Sequence, residues 1–188
     1  NIRGNFYLSI NRLVPNKRID LLVRAFNKLR LPLIIIGDGP EKEKLKKMAN
    51  SNITFLGKKS DADIEEYLSR CRAFVYAGLE DFGIAPVEAM ASGAPVIAYG
   101  SGGILDTVNC LNNPCKGEIP TGILFKNQTS EDVIDTVNWF EDKKIWNKFN
   151  PEILNNYAKK FSPENFFIKL ELIINKALIN FKKNNFKF

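Results

Sequence analysis

Two carboxylates flank a turn in the middle of the chain. Glu80 stands before Asp81-Phe82-Gly83, and Glu88 follows Pro86 in what reads as the first turn of a helix. Upstream, Ala73 to Ala77 is a short apolar run of strand type. Downstream, the helix is expected to reach about Ser92, Gly93 suits its C-terminal cap, and Pro95 to Ala98 reads as another strand. Pro86 fits the first helical position, where a missing N–H does no harm. Helix N-termini carry unpaired donors and partial positive charge, so the loop before this helix favours an anion. Two acids beside such a backbone suit a ligand bearing both phosphate and hydroxyl groups. Taken singly, Glu88 reads as an acid set against the helix dipole, and Glu80 as a solvated loop charge.

A pair of cations follows the first expected strand, Phe6 to Ile10. Arg12 and Lys17 lie in a stretch, Asn11 to Asp20, that contains no glycine, so it is not a dinucleotide-binding fingerprint. Beside a phosphate, Arg forks two oxygens and Lys supplies a point charge; elsewhere both would be surface charges. Histidine is absent, which excludes Cys/His zinc sites and Ser–His or Cys–His nucleophile pairs. Asp61-Ala-Asp63 has the spacing of a motif that holds metal-bound diphosphates. It falls at a helix start, where Ser60 or Asp61 serves as cap, so no metal is expected. Cys110 and Cys115 flank Asn-Asn-Pro and can pair in an oxidising setting, but reduced thiols in a cytosolic protein are the reading adopted.

The elements that must position these groups alternate between strand and helix. Further strands are expected at Leu33–Ile36, Ile53–Leu56 and Thr121–Phe125. Helices are expected at Ile19–Arg30, Glu41–Ala49, from Asp61, at Thr129–Phe140 and at Glu152–Phe161, with a last one capped by Ser162. Cys110 to Pro120 reads as a surface insertion. The pattern predicts an α/β fold, a Rossmann-like, doubly wound parallel sheet with its ligand at the carboxyl ends of the strands. The loops at those ends carry Arg12, Lys17, Gly37-Asp38-Gly39, Gly57, Glu80, Gly83, Glu88 and Gly102-Gly103. The 188 residues fit one domain, and 45% hydrophobic with 26% charged content is ordinary for a globular chain. The start at Asn1, with a strand almost at once, suggests a piece of a longer protein. Net charge is +6, but no nucleic-acid reader motif accompanies it. The lysines read as solvated helix faces, with attraction to an anionic membrane as a second reading.

The stretch from Glu80 to Tyr99 resembles the signature of the retaining family 4 glycosyltransferases, enzymes of GT-B architecture with two Glu separated by seven residues. Arg12-Leu-x-x-x-Lys17 resembles a second motif of that family, with Asn11 where Gly is usual. The resemblance covers about Phe6 to Phe161. It implies that residues 1–188 are a single donor-binding domain, the C-terminal half of a GT-B fold. Residues 162–188, a helix and basic tail including Phe181, Phe186 and Phe188, would then pack on an N-terminal acceptor domain. Arg12 and Lys17, aided by the amides of Gly83 and Ile84, would hold the departing diphosphate, and Phe82 would belong to the nucleotide-sugar-binding set. Glu80 would orient the donor sugar, and Glu88 would accept the ribose hydroxyls. Gly37, Gly39, Leu56, Gly57 and Lys58 would border the base.

The run Glu-Asp-Phe-Gly-Ile-x-Pro-Val-Glu is similar to that of O-antigen mannosyltransferases. This implies metal-independent, retaining transfer of a hexose, mannose from GDP-mannose, to a saccharide or lipid-linked glycan. The expected location is cytoplasmic, with peripheral contact on the cytoplasmic membrane face as an extension. Two rival readings keep the nucleotide sugar: a GT-B-type epimerase, and a noncatalytic nucleotide-sugar-binding module.

Overall fold

The computed structural model describes residues 3–112 and 118–185; Cys115, Phe186 and Phe188 lie outside them. Six strands form one wholly parallel sheet: β1 (Tyr7–Ile10), β2 (Leu33–Ile36), β3 (Ile53–Gly57), β4 (Ala73–Tyr76), β5 (Val96–Tyr99) and β6 (Gly122–Phe125). Their spatial order is β3-β2-β1-β4-β5-β6. The chain therefore winds outward from β1 to β3, returns to β4 beside β1, and winds outward the other way. Tyr7 pairs with Leu33 on one side and Ala73 on the other. The doubly wound expectation holds.

Alternation along each strand splits the core into two layers. On one face Tyr7, Val75 and Ile97 meet Leu22 and Phe26 of α1 (Ile19–Leu29) and Val133, Val137 and Phe140 of α6 (Ser130–Asp142). On the other, Leu8, Phe74, Val96 and Ala98 meet Leu68 of α3 (Asp61–Arg70), Ala89 and Met90 of α4 (Ile84–Ala91) and Ala158 of α7 (Pro151–Ala158). Two shorter helices, α2 (Lys42–Met48) and α5 (Ile104–Thr107), complete the cover. A polar network borders the first layer. The Tyr7 hydroxyl donates to Glu141 at 2.6 Å, and Glu141 also receives Arg72 at 2.8 Å. Burial and that carboxylate push the Tyr7 phenol far above its ordinary value.

Local chemistry sets most helix ends near their expected places. Ser60 caps α3, accepting from the Asp63 amide while Asp63 reaches back to Ser60, so Asp61-Ala-Asp63 is the start of a capped helix. Thr129 caps α6, and Asn150 caps α7, which begins at Pro151, one residue before the expected start. At the start of the surface insertion expected from Cys110 to Pro120, Cys110 bridges Gly122 and the Leu111 amide donates to the Gly122 carbonyl at 2.8 Å. That start is thus tied to the edge strand.

The central unit differs from expectation at one point. Helix α4 begins at Ile84, with Gly83 as a left-handed cap at φ 86°, and Pro86 is its third residue. Proline is tolerated there because the first four N–H groups of a helix have no intrahelical acceptor anyway. The shift moves Glu88 out of the first turn, which contains no acid.

After a 3-10 turn at Lys159–Phe161 the chain continues as α8 (Pro163–Asn185), the longest helix, with the Ser162 hydroxyl accepting from the Asn165 amide. Phe166, Phe167, Leu170, Ile173, Ile174, Leu178 and Phe181 are 38–65% exposed along it. This helix carries apolar residues that the domain itself does not cover. Among the described residues no helix is long and apolar enough to cross a membrane.

The two-layer core generates a stability prediction. Phe140 is fully buried and packs edge-on against Tyr7 and Trp146. Phe140→Ala should lower the free energy of unfolding by about 3–5 kcal/mol, read from urea denaturation. A loss below about 1 kcal/mol would mean that the site collapses to fill the void.

Candidate nucleotide-sugar site

The reversal of strand order sets the loop after β1 beside the loop after β4. Sheets of this kind place ligands in that crevice because the two loops diverge to opposite faces and leave a cleft between them. Two cavities occupy it here. The smaller, about 470 Å3, is lined by Arg12, Lys17, Tyr76, Glu80, Phe82, Gly83 and Ile84 among others. The larger, about 980 Å3, lies toward β2 and β3 and includes Arg12, Gly37, Asp38, Gly39, Lys58 and Lys59 in its lining. Arg12 borders both and is exposed.

The loop after β1 is held in place by its own backbone. The Asn11 amide donates to Ile36 at 3.0 Å, that of Leu13 to Asp38 at 2.9 Å, and that of Glu41 to Leu13 at 3.1 Å. Asn11 replaces the usual glycine without opening the turn: its side chain is buried and donates to Ser9 Oγ at 2.9 Å. The close approach is accommodated from the other side. Gly37 has φ 131°, and a Cβ there would lie 1.8 Å from the Asn11 carbonyl oxygen, so only glycine fits. Pro15–Lys17 form a 3-10 turn that presents the Lys17 side chain to the cleft. Next to it Arg18 donates to Gln128 at 3.2 Å, and Gln128 donates to the Ala77 carbonyl at 2.8 Å. That relay ties the β1 loop to the β4 loop.

Glu80 is the best-supported side chain in the cleft. Its Oε1 receives both the Lys17 ammonium and the Tyr76 hydroxyl. The side chains of Lys17 and Glu80 are 20% and 23% exposed, so neither is a free surface charge. Burial draws the Lys17 ammonium below its ordinary pKa, against the pull of the carboxylate beside it. The Glu80 backbone is fixed as well. Its carbonyl accepts from the Gly103 amide at 2.7 Å, and Gly102 pairs with it as an isolated bridge. A Cβ on Gly103 would sit 2.0 Å from the Asp81 carbonyl oxygen, so this loop is pressed against the Glu80 segment. The Gly103 amide is therefore committed to Glu80 and is not free to join a phosphate nest.

The loop then turns at Phe82-Gly83 into α4. Phe82 packs edge-on against Phe161 at 5.8 Å between ring centres. Gly83 and Ile84 bring the first amides of α4 to the smaller cavity, where helix geometry leaves them without intrahelical acceptors. Two cations, one helix N-terminus and one carboxylate held on a cation and a phenol thus converge on one cleft. Such a cleft can neutralise a diphosphate while keeping one acid for hydroxyl groups.

Of the residues singled out from the sequence, Arg12, Lys17, Glu80, Phe82, Gly83 and Ile84 meet in the smaller cavity, and Gly37, Gly39 and Lys58 line the larger. Leu56 and Gly57 line neither. Leu56 packs against the second core layer, and the Gly57 carbonyl accepts from the Gly37 amide at 2.8 Å. Glu88 also stands apart, exposed on α4 in a cleft against α3 that meets the larger cavity only through Ile64. Since it lies beyond the first turn of α4, helix capping does not account for it.

Tyr76 and Asp38 also line these cavities, though neither was given a role in the site from the sequence. Tyr76 read as core of a buried strand. Its only signal is a polar atom at the carboxyl end of that strand, four residues before Glu80. Asp38 stands between Gly37 and Gly39 in the loop after β2. Lys42 at 2.7 Å and the Gly39 amide at 2.8 Å hold its carboxyl below the usual range, at the mouth of the larger cavity. Among the described residues no group of three or more His, Cys, Asp or Glu could hold a metal ion.

The chain is 30% identical over 173 residues to a protein of Methanocaldococcus jannaschii named as the uncharacterized glycosyltransferase MJ1178, covering 85% of this chain and 45% of that one. It is 32% identical over 146 residues to the GDP-mannose-dependent alpha-(1-6)-phosphatidylinositol monomannoside mannosyltransferase of Mycobacterium tuberculosis, covering 68% and 36%. The sucrose-phosphate synthase of Thermosynechococcus elongatus superposes with a TM-score of 0.76 at 20% identity, over 96% of this chain and 47% of that structure. The chain thus spans less than half the length of each of these relatives. Residues 2–161 match the family described as glycosyl transferases group 1, and the chain belongs to that family.

Proposed function

We propose that this chain is the donor-binding domain of a retaining hexosyltransferase. It takes mannose from GDP-mannose and passes it, without a metal ion, to a saccharide or lipid-linked glycan. The convergence of Arg12, Lys17 and the first amides of α4 around Glu80 carries the reading. GDP-mannose is supported by the identity to the mycobacterial enzyme, whose name states that donor.

In the reaction the bond between the anomeric carbon and the diphosphate oxygen breaks as the acceptor hydroxyl oxygen bonds to that carbon, the hydroxyl proton is released, and negative charge gathers on the leaving diphosphate. Arg12 and Lys17, with the Gly83 and Ile84 amides, neutralise that charge where it develops, which is usually the largest catalytic term. Lys17 exchanges Glu80 for the diphosphate when the donor enters. Glu80 then faces the sugar and orients it. The larger cavity, between Gly37-Asp38-Gly39 and Lys58, receives the base. Glu88 reaches the ribose hydroxyls from the α3–α4 cleft.

The acceptor binds on a domain outside residues 1–188. The apolar surface of α8 packs against that domain, and the lysines of α8 and its tail favour an anionic membrane on the cytoplasmic face.

Metal independence is tested directly. GDP-mannose affinity, measured by calorimetry, should be the same with and without excess EDTA; loss of affinity on adding chelator would overturn it.

The division of labour in the site gives a second test. A hydrogen bond to a charged group is worth about 1.5–3 kcal/mol. Lys17→Ala should therefore weaken GDP binding about ten- to a hundredfold and leave guanosine binding unchanged. Glu88→Ala should weaken both about tenfold, because both carry the ribose. If Glu88→Ala leaves both affinities intact, the ribose is held elsewhere.

Glu80 differs from both. In the complete enzyme, Glu80→Gln should depress turnover of GDP-mannose strongly while GDP affinity stays near that of the parent. Parallel loss of affinity and turnover would make Glu80 a nucleotide ligand. Product analysis on the same enzyme separates transfer from epimerisation and from binding alone.

A further inference from the structure

Glu80 has two partners on one oxygen, and they differ in kind. Lys17 is a cation on a loop side chain, and in the proposed reaction a diphosphate competes for it. Tyr76 is the last residue of β4, almost fully buried, with its ring stacked on Phe74 at an interplanar angle of 15°. Its hydroxyl donates to the same Oε1 that Lys17 contacts, while Oε2 makes no hydrogen bond among the described residues. The chain between Tyr76 and Glu80 is drawn tightly over this contact. A Cβ on Gly78 would lie 3.2 Å from both the Tyr76 hydroxyl and the Lys17 Cα.

We propose that Tyr76 is a positioning residue for Glu80, whose hydroxyl holds the carboxylate by Oε1 and leaves Oε2 for the donor sugar. The inference rests on the reading of Glu80 as the sugar-orienting acid. When the diphosphate recruits Lys17, Glu80 loses one of its two restraints. A glutamate has three rotatable bonds and would scatter among rotamers without a second anchor. Tyr76 supplies that anchor from a strand that cannot shift without breaking the sheet. The phenol also suits the task electrically. A neutral donor fixes the carboxylate without cancelling its charge, whereas a cation would blunt it. Burial raises the phenol above its ordinary pKa, so it remains a donor throughout the working pH range.

The test is a double-mutant cycle in the complete enzyme, with turnover read as GDP released from GDP-mannose. Tyr76→Phe removes one oxygen and keeps the ring stacked on Phe74. It should lower kcat about tenfold while GDP affinity and Tm match the parent. In a Glu80→Gln background the same change should alter kcat by less than about twofold, since coupled residues are not additive. Wild-type kcat in Tyr76→Phe beside an impaired Glu80→Gln would overturn the proposal for Tyr76 alone. So would a full tenfold loss in both backgrounds. Undiminished turnover in Glu80→Gln would instead overturn the assignment of Glu80.

Discussion

Strand β1 hydrogen-bonds to β2 on one side and to β4 on the other, and the functional loops take their positions from that double pairing. A parallel strand in mid-sheet has both edges occupied, so the chain must leave it upward into a helix and cannot fold back as a hairpin. The second half of the chain then returns to the free edge of β1 and winds the other way. At the join the loops after β1 and β4 are neighbours in space though about sixty residues apart in sequence. Lys17 meets Glu80 across that join. A sheet without this reversal would carry the same two side chains on separate loops.

Electrostatics then decides what the join can hold. Lys17 and Glu80 are mostly buried, and such a pair gains from mutual attraction while losing hydration. The net energy of such a pair is modest, which is compatible with the proposed exchange of Lys17 from Glu80 to a diphosphate. Tyr76 changes the balance on the Glu80 side only, because it offers a neutral donor that the diphosphate does not seek. Around this trio, the Gln128 side chain links Arg18 to the Ala77 carbonyl, and the Gly102-Gly103 backbone pairs with that of Glu80, so the loops keep a fixed spacing. The frame of the site is thus tied together, and the proposed exchange is confined to one ion pair.

The core serves this frame unevenly. The α1–α6 layer is dense with aromatic contacts and holds the Tyr7–Glu141–Arg72 network. The α4 layer is built from smaller residues, Ala89, Ala94 and Ala98 among them. Small side chains let α4 approach the sheet closely, bringing its N-terminus to the cleft. Beyond α7 the pattern changes, since α8 keeps its apolar residues outside the domain.

Strand periodicity, caps and glycines made most of the architecture readable from the chain itself. Each of the six strands lies within a residue or so of its expected place, because a buried parallel strand is an apolar run bounded by turn residues. The caps at Ser60, Thr129 and Ser162 are local hydrogen bonds, encoded within three residues of where they act. The gathering of Arg12, Lys17, Glu80 and Gly83 was legible too, since they all stand after strands of one parallel sheet. Other features depended on distance in space. That Tyr76 and Lys17 share one Glu80 oxygen, that α4 begins at Ile84 and leaves Glu88 in a separate cleft, and that the Gly103 amide is used on Glu80 follow from how loops pack against each other. Periodicity records which face a residue takes. It does not record the few ångströms by which one loop leans on another, and only the tertiary structure decides those.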